Sequence, residues 1–348
     1  MQELLLLWVW EKNKNIKKNK TKIMKTYSKE DFAYVVSSIT GFTDQTSTEL
    51  MMKALVGGTT AKNSNVKLGI KGTQQIQILD STPAFQAGAC GWSPSGTTTF
   101  SQISLTVCPE RINENLCPDA LYSTYQSLLL QKGETEEVVP FEVQIADLKV
   151  KQIQQRIEQK LWQATTAGGD CFQGFKALLV SGATGTAISA TPTAFSAAAS
   201  YGTDGNPITE VDKLISALDD NAQALENLVC YMSYSNYRLY VQALTKANFF
   251  QNYIGSSVVI GGEANSFAVH PNSTVKVYPT IGLNGSGRVV VGPADYFVVG
   301  FDLLSDHEKL DMWWSRDNDE IRIRGNYNYG AALVRFAGVN YFATNNIA

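Results

Sequence analysis

The chain has 348 residues, of which 44% are hydrophobic and 18% charged, and its net charge at pH 7 is −3. This length allows two or three domains or lobes, and the hydrophobic fraction is sufficient for packed cores. The low charged fraction suits a chain that buries its surface against copies of itself, or else a chain with an uncharged polar surface and no partner. The net charge gives no overall basic footprint for nucleic acid.

The first 26 residues differ in composition from the rest of the chain. The apolar run Leu4–Trp10 is too short to span a bilayer, and it lacks the preceding positive charge and the cleavage site of a signal peptide. A lysine-rich stretch, interleaved with asparagine, follows from Lys12 to Lys25. Three interpretations stay open: a basic arm that reaches a genome, an idle disordered segment, or translation that starts at Met24, so that the mature protein lacks residues 1–23.

Two alternating segments predict a long hairpin in the first third of the chain. Before them, Ser47–Val56 has the pattern of a capped helix that ends at two glycines, and residues 59–65 are expected to be polar and flexible. Apolar and polar residues alternate over Asn65–Leu79 and over Thr97–Val107, which is the period of a strand. The Gly/Ser/Pro-rich stretch between them has little apolar material to fold upon, which favours a projecting loop over an ordinary hairpin of a compact domain.

A short amphipathic helix over Asp119–Leu130 precedes the longest helix that the sequence predicts, over residues 136–165. The apolar residues of this long helix recur every three to five positions and mark one face, comprising Phe141, Ile145, Leu148, Ile153, Ile157 and Leu161. Pro140 precedes the run and Thr165–Gly169 ends it, as expected for helix boundaries. The sequence then predicts a strand over Phe172–Val180.

The second half of the chain predicts helices and short strands. Residues 181–207 are expected to form a linker or a loosely ordered insertion. The helices Thr209–Leu228 and Ser235–Ala247 flank a buried strand at Val229–Met232. A small sheet is predicted from Ser256–Ile260, Val275–Tyr278, Val289–Val291 and Phe297–Phe301. The last predicted strands, which should pack beside the long helix, are Asp311–Trp314, Glu320–Arg324 and Ala331–Ala337.

We assign no catalytic, cofactor-binding or metal-ligating residue from the sequence. A Ser–His–Asp set would need His270 or His307 as its base, and both are predicted to be surface histidines, one in a loop and one in a charged turn. The acidic groups Asp219–Asp220 and Asp317–Glu320 are predicted to be solvated turns rather than cation sites.

The glycine-rich stretches do not predict a phosphate site. Those at Gly255, at Gly261–Gly262 and at residues 282–287 lack the Lys–Ser/Thr pair and the strand–helix context of a phosphate-binding loop. Residues 282–287 have the composition of a hairpin turn between two strands.

Several short stretches follow one another in a suggestive order: Ile70–Gly72, Cys90–Trp92, Leu105–Val107, Asn115–Pro118, Gly133, Glu158–Gln163, Val291–Tyr296 and Gly300–Asp302. In this order, and with the long helix between them, they resemble the major capsid proteins of tailed bacteriophages with the Hong Kong 97 fold. The resemblance covers most of the chain after about residue 27 and is closest to crAss-like and related phages of Bacteroidota. The long helix corresponds to the spine helix of these subunits.

The resemblance implies an α+β subunit of Hong Kong 97 type with a defined domain layout. Residues 1–26 would be the basic extension. The other parts would be an N-terminal arm at 27–62, an extended loop at 63–133, a peripheral domain with the spine helix at 134–200 and 308–342, and an axial domain at 201–307. Glu158, Lys160 and Arg156, near the end of the spine helix, would make contacts between subunits.

The five cysteines, at positions 90, 108, 117, 171 and 230, form no CxxC pair, and with two histidines in the chain a zinc site is improbable. Because phage subunits assemble in a reducing bacterial cytoplasm, free thiols are expected. A disulfide between Cys90 and another loop cysteine stays open as an alternative.

The function that the resemblance implies is assembly rather than catalysis. Copies of the chain would form pentamers and hexamers that close into an icosahedral head around double-stranded DNA. Its partners would be itself, portal and head-completion proteins, a separate scaffolding protein if one is needed, and packaged DNA through non-specific contact; no membrane is implied. The location would be the virion, after assembly in the host cytoplasm. An encapsulin-like compartment is the alternative, and a secreted β-rich binding protein or hydrolase is the remote one.

Overall fold

The computed structural model describes residues 54–86, 88, 95–116, 141–180, 186–188, 193–225, 227–247, 267–271, 273–302, 310–318, 320–336, 339–345 and 347. These residues form an α+β structure with a five-stranded sheet, a six-stranded sheet and a separate two-stranded hairpin. The predicted helix Asp119–Leu130, the predicted strand Ser256–Ile260 and the basic extension lie outside the described residues. Of the predicted helix Ser47–Val56, residues 54–56 are described, and they are helical.

The helices of the described part are α1 (Thr59–Lys62), α2 (Phe141–Gln163), α3 (Phe175–Leu178), α4 (Pro207–Ser216), α5 (Asp220–Gln223) and α6 (Tyr234–Lys246). Its strands are β1 (Asn65–Leu68), β2 (Thr73–Pro83), β3 (Gly96–Thr106), β4 (Cys108–Leu116), β5 (Thr186–Ile188), β6 (Leu228–Met232), β7 (Ala268–Val269), β8 (Lys276–Pro279), β9 (Val290–Pro293), β10 (Phe297–Phe301), β11 (Leu310–Ser315), β12 (Glu320–Leu333) and β13 (Phe342–Thr344).

The long helix α2, which we call the spine helix, is confirmed by the structure. Ile153, Ile157 and Leu161 are buried on one face, as their spacing predicted. Leu148 is 54% exposed, so its assignment to that face is wrong. It lies two residues before the buried Val150, and at about 100° per residue this places the two side chains on nearly opposite sides of the helix.

The five-stranded sheet packs against the buried face of the spine helix. Strand β10 pairs in parallel with β1 and antiparallel with β12, and β12 pairs antiparallel with both β11 and β4. Alternate side chains of β12, including Ile321, Ile323 and Tyr327, are buried in the same core as Ile153 and Ile157. The predicted segments at 320–324 and 331–337 therefore belong to one strand, which ends at Leu333.

The six-stranded sheet has the order β5-β13-β9-β6-β8-β7. All the residues of its central strand, Leu228–Met232, are buried, as predicted. The prediction that Phe297–Phe301 belongs to this sheet is wrong, because that strand pairs with β1 and β12 in the five-stranded sheet. The strands β5 and β13 take part instead, and both come from segments distant in sequence.

Two of the remaining predicted elements change and a third is confirmed. The helix predicted at Thr209–Leu228 is two helices, α4 and α5, and α4 begins at Pro207 because the Asn206 side chain caps its first N–H groups. The predicted strand Phe172–Val180 contains the short helix α3 instead. The second predicted helix, at Ser235–Ala247, is confirmed as α6, with Ser233 as its N-cap.

Two segments that were expected to be loose are ordered. Within residues 59–65, helix α1 packs against the spine helix with Thr60 and Ala61 buried. Within residues 181–207, strand β5 joins the six-stranded sheet, and the backbone from Ser196 to Asn206 is held by turns.

The predicted hairpin is confirmed for β2 and β3, which pair antiparallel from Thr73–Thr106 to Pro83–Gly96. Its first strand was predicted to begin at Asn65, which is wrong, because Asn65–Leu68 forms β1 of the five-stranded sheet. Its base packs into the subunit, where Leu105 lies in a small core with Ile70 and Val107, and Ile78 farther along β2 is also buried.

Candidate functional site

His270, a possible catalytic base in the sequence, is completely buried, so the prediction of a surface histidine is wrong. Its Nε2 atom lies 2.7 Å from Oδ1 of Asp212, and its Nδ1 atom lies 2.8 Å from the hydroxyl of Tyr240. Asp212 belongs to α4 and Tyr240 to α6, so the imidazole connects both helices to the end of β7. The arrangement holds three elements of one core together.

The His270 cluster lacks the chemistry of a Ser–His–Asp set. Its ring nitrogens contact an aspartate and a tyrosine, and Tyr240 is buried. Burial raises the pKa of Tyr240 well above its ordinary value, so this hydroxyl stays protonated and closed off from solvent. His307 lies outside the described residues. That the chain has no catalytic residue stays a prediction.

The glycine stretch at residues 282–287 is not a hairpin turn. It lies between β8 and β9, and both strands pair with β6, which separates them. Ile281–Leu283 forms a turn of 3₁₀ helix against the spine helix. A Cβ atom on Gly282 would lie 2.2 Å from Cδ1 of Trp162, so this glycine permits a close approach of backbone to the indole ring. Gly255 and Gly261–Gly262 lie outside the described part of the chain.

The acidic groups make hydrogen bonds within the chain. Oδ2 of Asp219 accepts from the Asn340 backbone N–H at 2.6 Å, and the Glu320 carboxylate accepts from Asn115 at 2.8 Å and from Arg322 at 2.9 Å. The bond from Asn115, followed by that from Arg322, lowers the pKa of Glu320. Across the residues that the structure describes, no group of three His, Cys, Asp or Glu side chains could hold a metal ion.

Two of the five cysteines are joined. Cys108, at the start of β4, forms a disulfide with Cys171, which follows the spine helix, and their Cα atoms lie 6.3 Å apart. The expectation of free thiols is therefore wrong for this pair. Cys230 is free and buried in β6, and burial raises the pKa of its thiol. Cys90 and Cys117 lie outside the described residues, so the alternative of a Cys90 disulfide stays open.

Of the three charged residues near the end of the spine helix, Glu158 is engaged inside the subunit, contrary to the expectation of contacts between subunits. For Lys160 and Arg156, which are more exposed, that expectation stays a prediction. Glu158 is 3% exposed, and its Oε1 atom accepts hydrogen bonds from Thr60 and Thr280. Lys160 forms an ion pair with Asp170, and this contact is the main reason why the pKa of Asp170 is lowered. Arg156 is exposed and donates to the side chain of Gln159 at 3.4 Å.

The surface with the clearest potential for interaction is the hairpin. Leu79 and Phe100 are directly opposite in its register, and they are 58% and 77% exposed. Phe85, beyond the end of β2, is completely exposed. A two-stranded hairpin is marginally stable by itself, because it lacks a third strand or a helix to cover its apolar side chains. Neighbouring exposed apolar residues of this kind mark surfaces that other proteins cover.

A second exposed surface lies on the solvent side of the spine helix, where Asp147, Leu148, Lys151 and Gln155 line a shallow depression. Leu148 is the large apolar residue of this surface. A single exposed leucine is common on protein surfaces and does not by itself indicate a partner.

No protein-family model and no curated protein sequence matches this chain. Solved structures do match. A chain of the satellite phage P4 procapsid, in a structure that includes the size determination protein, has a TM-score of 0.52 at 9% identity, covering 96% of both chains. The capsid of an empty GTA particle has a TM-score of 0.51 at 11% identity, covering 84% of this chain and 89% of the other.

The chain has the Hong Kong 97 fold. The match extends over nearly the whole chain, so it includes the spine helix, both larger sheets and the hairpin rather than one shared motif. At these identities the likeness establishes the fold alone. Within the described residues, no helix is long and apolar enough to cross a membrane.

Proposed function

We propose that the chain is a major capsid protein of a tailed bacteriophage. In this proposal copies of it assemble through pentamers and hexamers into an icosahedral head around double-stranded DNA. The observation that carries the proposal is the likeness to the P4 procapsid chain over 96% of both chains. Assembly requires complementary surfaces and no reacting groups, which agrees with the prediction that the chain has no catalytic residue.

The exposed hairpin supports the same function through its energetics. The side chains of Leu79, Phe85 and Phe100 stay in water in the single chain. Covering apolar surface contributes about 25 cal/mol per Å², so a neighbouring subunit laid along the hairpin would gain stability from each of them. We propose that this gain is one of the forces that join subunits.

The domain layout of the proposal follows the sequence analysis. Residues 27–62 would be the N-terminal arm and residues 63–133 the extended loop. Residues 134–200 and 308–342 would form the peripheral domain, and residues 201–307 the axial domain. Strands β5, β10 and β13 cross these limits by pairing in the other sheet, which we interpret as strand exchange that ties the two domains together.

The proposed partners are other copies of the chain, the portal and head-completion proteins, a separate scaffolding protein where one is needed, and packaged DNA through non-specific contact. The proposed location is the virion, after assembly in the host bacterial cytoplasm. A relationship to crAss-like and related phages of Bacteroidota belongs to this proposal and rests on the sequence motifs.

An encapsulin-like compartment is a second candidate. The net charge of −3 favours it over a DNA-filled head, because a shell that houses an enzyme has no need of a basic inner surface. Neighbouring genes distinguish the candidates: terminase and portal genes indicate a phage, and a gene for a cargo enzyme indicates a compartment. Nucleic acid that is protected from nuclease inside isolated particles would also favour the phage head.

Size-exclusion chromatography with light scattering tests the shared claim that the chain builds shells. We expect capsomers or shells over a wide range of concentrations. A well-folded species of 38.1 kDa at every concentration would contradict the proposal.

A further inference from the structure

Glu158 joins three segments that are far apart in sequence. It lies on the spine helix, and its Oε1 atom accepts from the Thr60 backbone N–H at 3.0 Å, from the Thr60 hydroxyl, and from the Thr280 hydroxyl at 2.7 Å. Thr60 belongs to α1, and Thr280 is the N-cap of the 3₁₀ turn Ile281–Leu283. One carboxyl oxygen therefore holds α1 and this turn against the spine helix.

The direction of both hydroxyl hydrogen bonds is determined by their other partners. The Trp162 indole N–H donates to the Thr60 hydroxyl at 2.7 Å, and the Gly282 backbone N–H donates to the Thr280 hydroxyl at 3.1 Å. These nitrogen groups only donate, so each hydroxyl keeps its own hydrogen available for Glu158. With both hydroxyls and the Thr60 backbone N–H donating to Oε1, Oε2 is the better-placed oxygen for a proton.

The surroundings of Oε2 favour that proton. The atom is buried, and no hydrogen-bond partner for it occurs among the described residues. It lies beside Gly58, where a Cβ atom would be only 2.3 Å away. No cationic side chain of the described region forms an ion pair with Glu158. Ionisation would leave negative charge on a buried atom without a donor, which is costly.

We propose that Glu158 is a protonation-dependent latch for the segment Gly58–Asn63. The latch is closed when the carboxyl is neutral and loosens when the carboxyl ionises. Besides Glu158, the segment is held by the Trp162 indole N–H, which donates to the Thr60 hydroxyl, by the burial of Ala61, and by the Tyr231 hydroxyl, which donates to the Asn63 carbonyl at 3.5 Å. It immediately precedes β1, so the latch acts where the chain enters the five-stranded sheet. This inference concerns the single subunit and does not rest on the proposed function.

Few titratable groups face the carboxyl. From β6 it is Tyr231 and from the start of α6 it is Tyr234, and the pKa of each is raised, first by burial and then by Glu158. The titratable residue of α1, Lys62, is exposed, and Lys160, two positions after Glu158 on the spine helix, is held by Asp170. The 3₁₀ turn Ile281–Leu283 contains no titratable side chain. Both tyrosines are neutral wherever a carboxyl titrates, so Glu158 is the group that changes charge.

The sign of the pH dependence follows from burial, which raises the pKa of Glu158 above its ordinary value of 4.5 despite the three donors. A raised folded-state pKa means that the folded state binds the proton more tightly than the unfolded state. The contribution to stability is therefore complete below pH 4.5 and is lost as the pH rises through the folded-state pKa.

Hydrogen exchange of peptides that cover residues 54–64 tests the latch on the purified full chain, over a pH series that starts near 4.5 and is corrected for intrinsic rates. We expect protection to fall with rising pH by up to about tenfold per pH unit. Glu158→Gln, which is neutral at every pH, should abolish this dependence. Glu114→Gln is the control: Glu114 is a half-exposed acid in β4 that pairs with Lys149 of the spine helix, and its replacement should leave the pH dependence unchanged. Equal pH dependence in the wild type and Glu158→Gln, or none in the wild type, would overturn the proposal.

Thr280→Val keeps the proposal testable if Glu158→Gln does not fold. The Thr280 hydrogen bond lowers the pKa of Glu158, so its removal should raise that pKa further. We expect protection of the segment to persist to higher pH than in the wild type. A transition that stays in place or moves to lower pH would show that Glu158 does not control the segment.

Discussion

The indole N–H of Trp162 donates a hydrogen bond to the hydroxyl of Thr60 over 2.7 Å, although 102 positions separate the two residues. Trp162 is fully buried at the end of the spine helix, and its ring meets Phe175 and Tyr231 edge-on, with centroids 5.3 Å away in both cases. The spine helix, the six-stranded sheet and the segment before β1 thus converge on one side chain. Because three elements contact Trp162, we expect substitutions at this end of the spine helix to lower the stability of the whole subunit.

Trp162→Ala should destabilise the subunit by about 3–5 kcal/mol, because it removes a large buried ring and leaves a cavity. Trp162→Phe should cost less, since the ring packing is retained while the Thr60 hydroxyl loses its donor. Urea unfolding followed by circular dichroism gives both values. Equal stability of wild type and Trp162→Ala would show that this cluster is not the core that the structure describes.

Gly330→Ala should displace the base of the hairpin. Gly330 lies in β12, where a Cβ atom would be 1.9 Å from the backbone oxygen of Thr106 in β3. The two strands must separate to admit a methyl group, at a cost of about 1–3 kcal/mol. Asn326→Ala, at a polar position of the same strand, is the control, with an expected change within about 0.5 kcal/mol. Hydrogen exchange of β3 measures the displacement, and unchanged protection in Gly330→Ala would contradict the close approach.

Phe100→Ser should separate folding from assembly. Because Phe100 is 77% exposed, the substitution should change the free energy of unfolding by no more than about 0.5 kcal/mol. In the proposed shell the same side chain is covered by a neighbour, so sedimentation should show fewer particles and more free subunits. Gln102→Ser, two positions along on the same face of β3, should assemble normally. Normal particle yield from Phe100→Ser would exclude this side chain from the subunit interface.

Gln154→Pro should abolish assembly by breaking the spine helix. Proline removes a helical hydrogen bond and clashes with the preceding turn, which costs about 3 kcal/mol or more in a domain whose total stability is about 5–15 kcal/mol. Gln159→Ala on the same helix is the matched control. Its side chain is half-buried and accepts one long hydrogen bond from Arg156, so the change should be small. Normal particles from Gln154→Pro would show that a rigid spine helix is dispensable.

Sequence patterns predicted the elements whose burial is periodic. Ile153, Ile157 and Leu161 mark one helical face, and the alternation across the hairpin predicted its two strands. The same reasoning failed for Phe172–Val180, a short apolar run in which Gln173 and Val180 are exposed. Both Phe175 and Leu179 are fully buried, and a short apolar run of this kind is compatible with either helix or strand.

Pairing between distant segments could not be predicted, because the alternation of residues within a strand does not show which other strand it pairs with. Phe297–Phe301 pairs with β1 and β12 although its composition is equally suited to the six-stranded sheet. The buried polar groups were missed for the same reason. The partners of Glu158 and His270 lie on other elements, and neither residue has a local sequence pattern that predicts its burial.

Negative-stain electron microscopy of the purified full chain tests the central claim most directly. The proposal predicts closed particles of uniform diameter, or rings of five and six subunits from which such particles are built. Fields of small, well-folded single subunits, unchanged at high protein concentration, would contradict it.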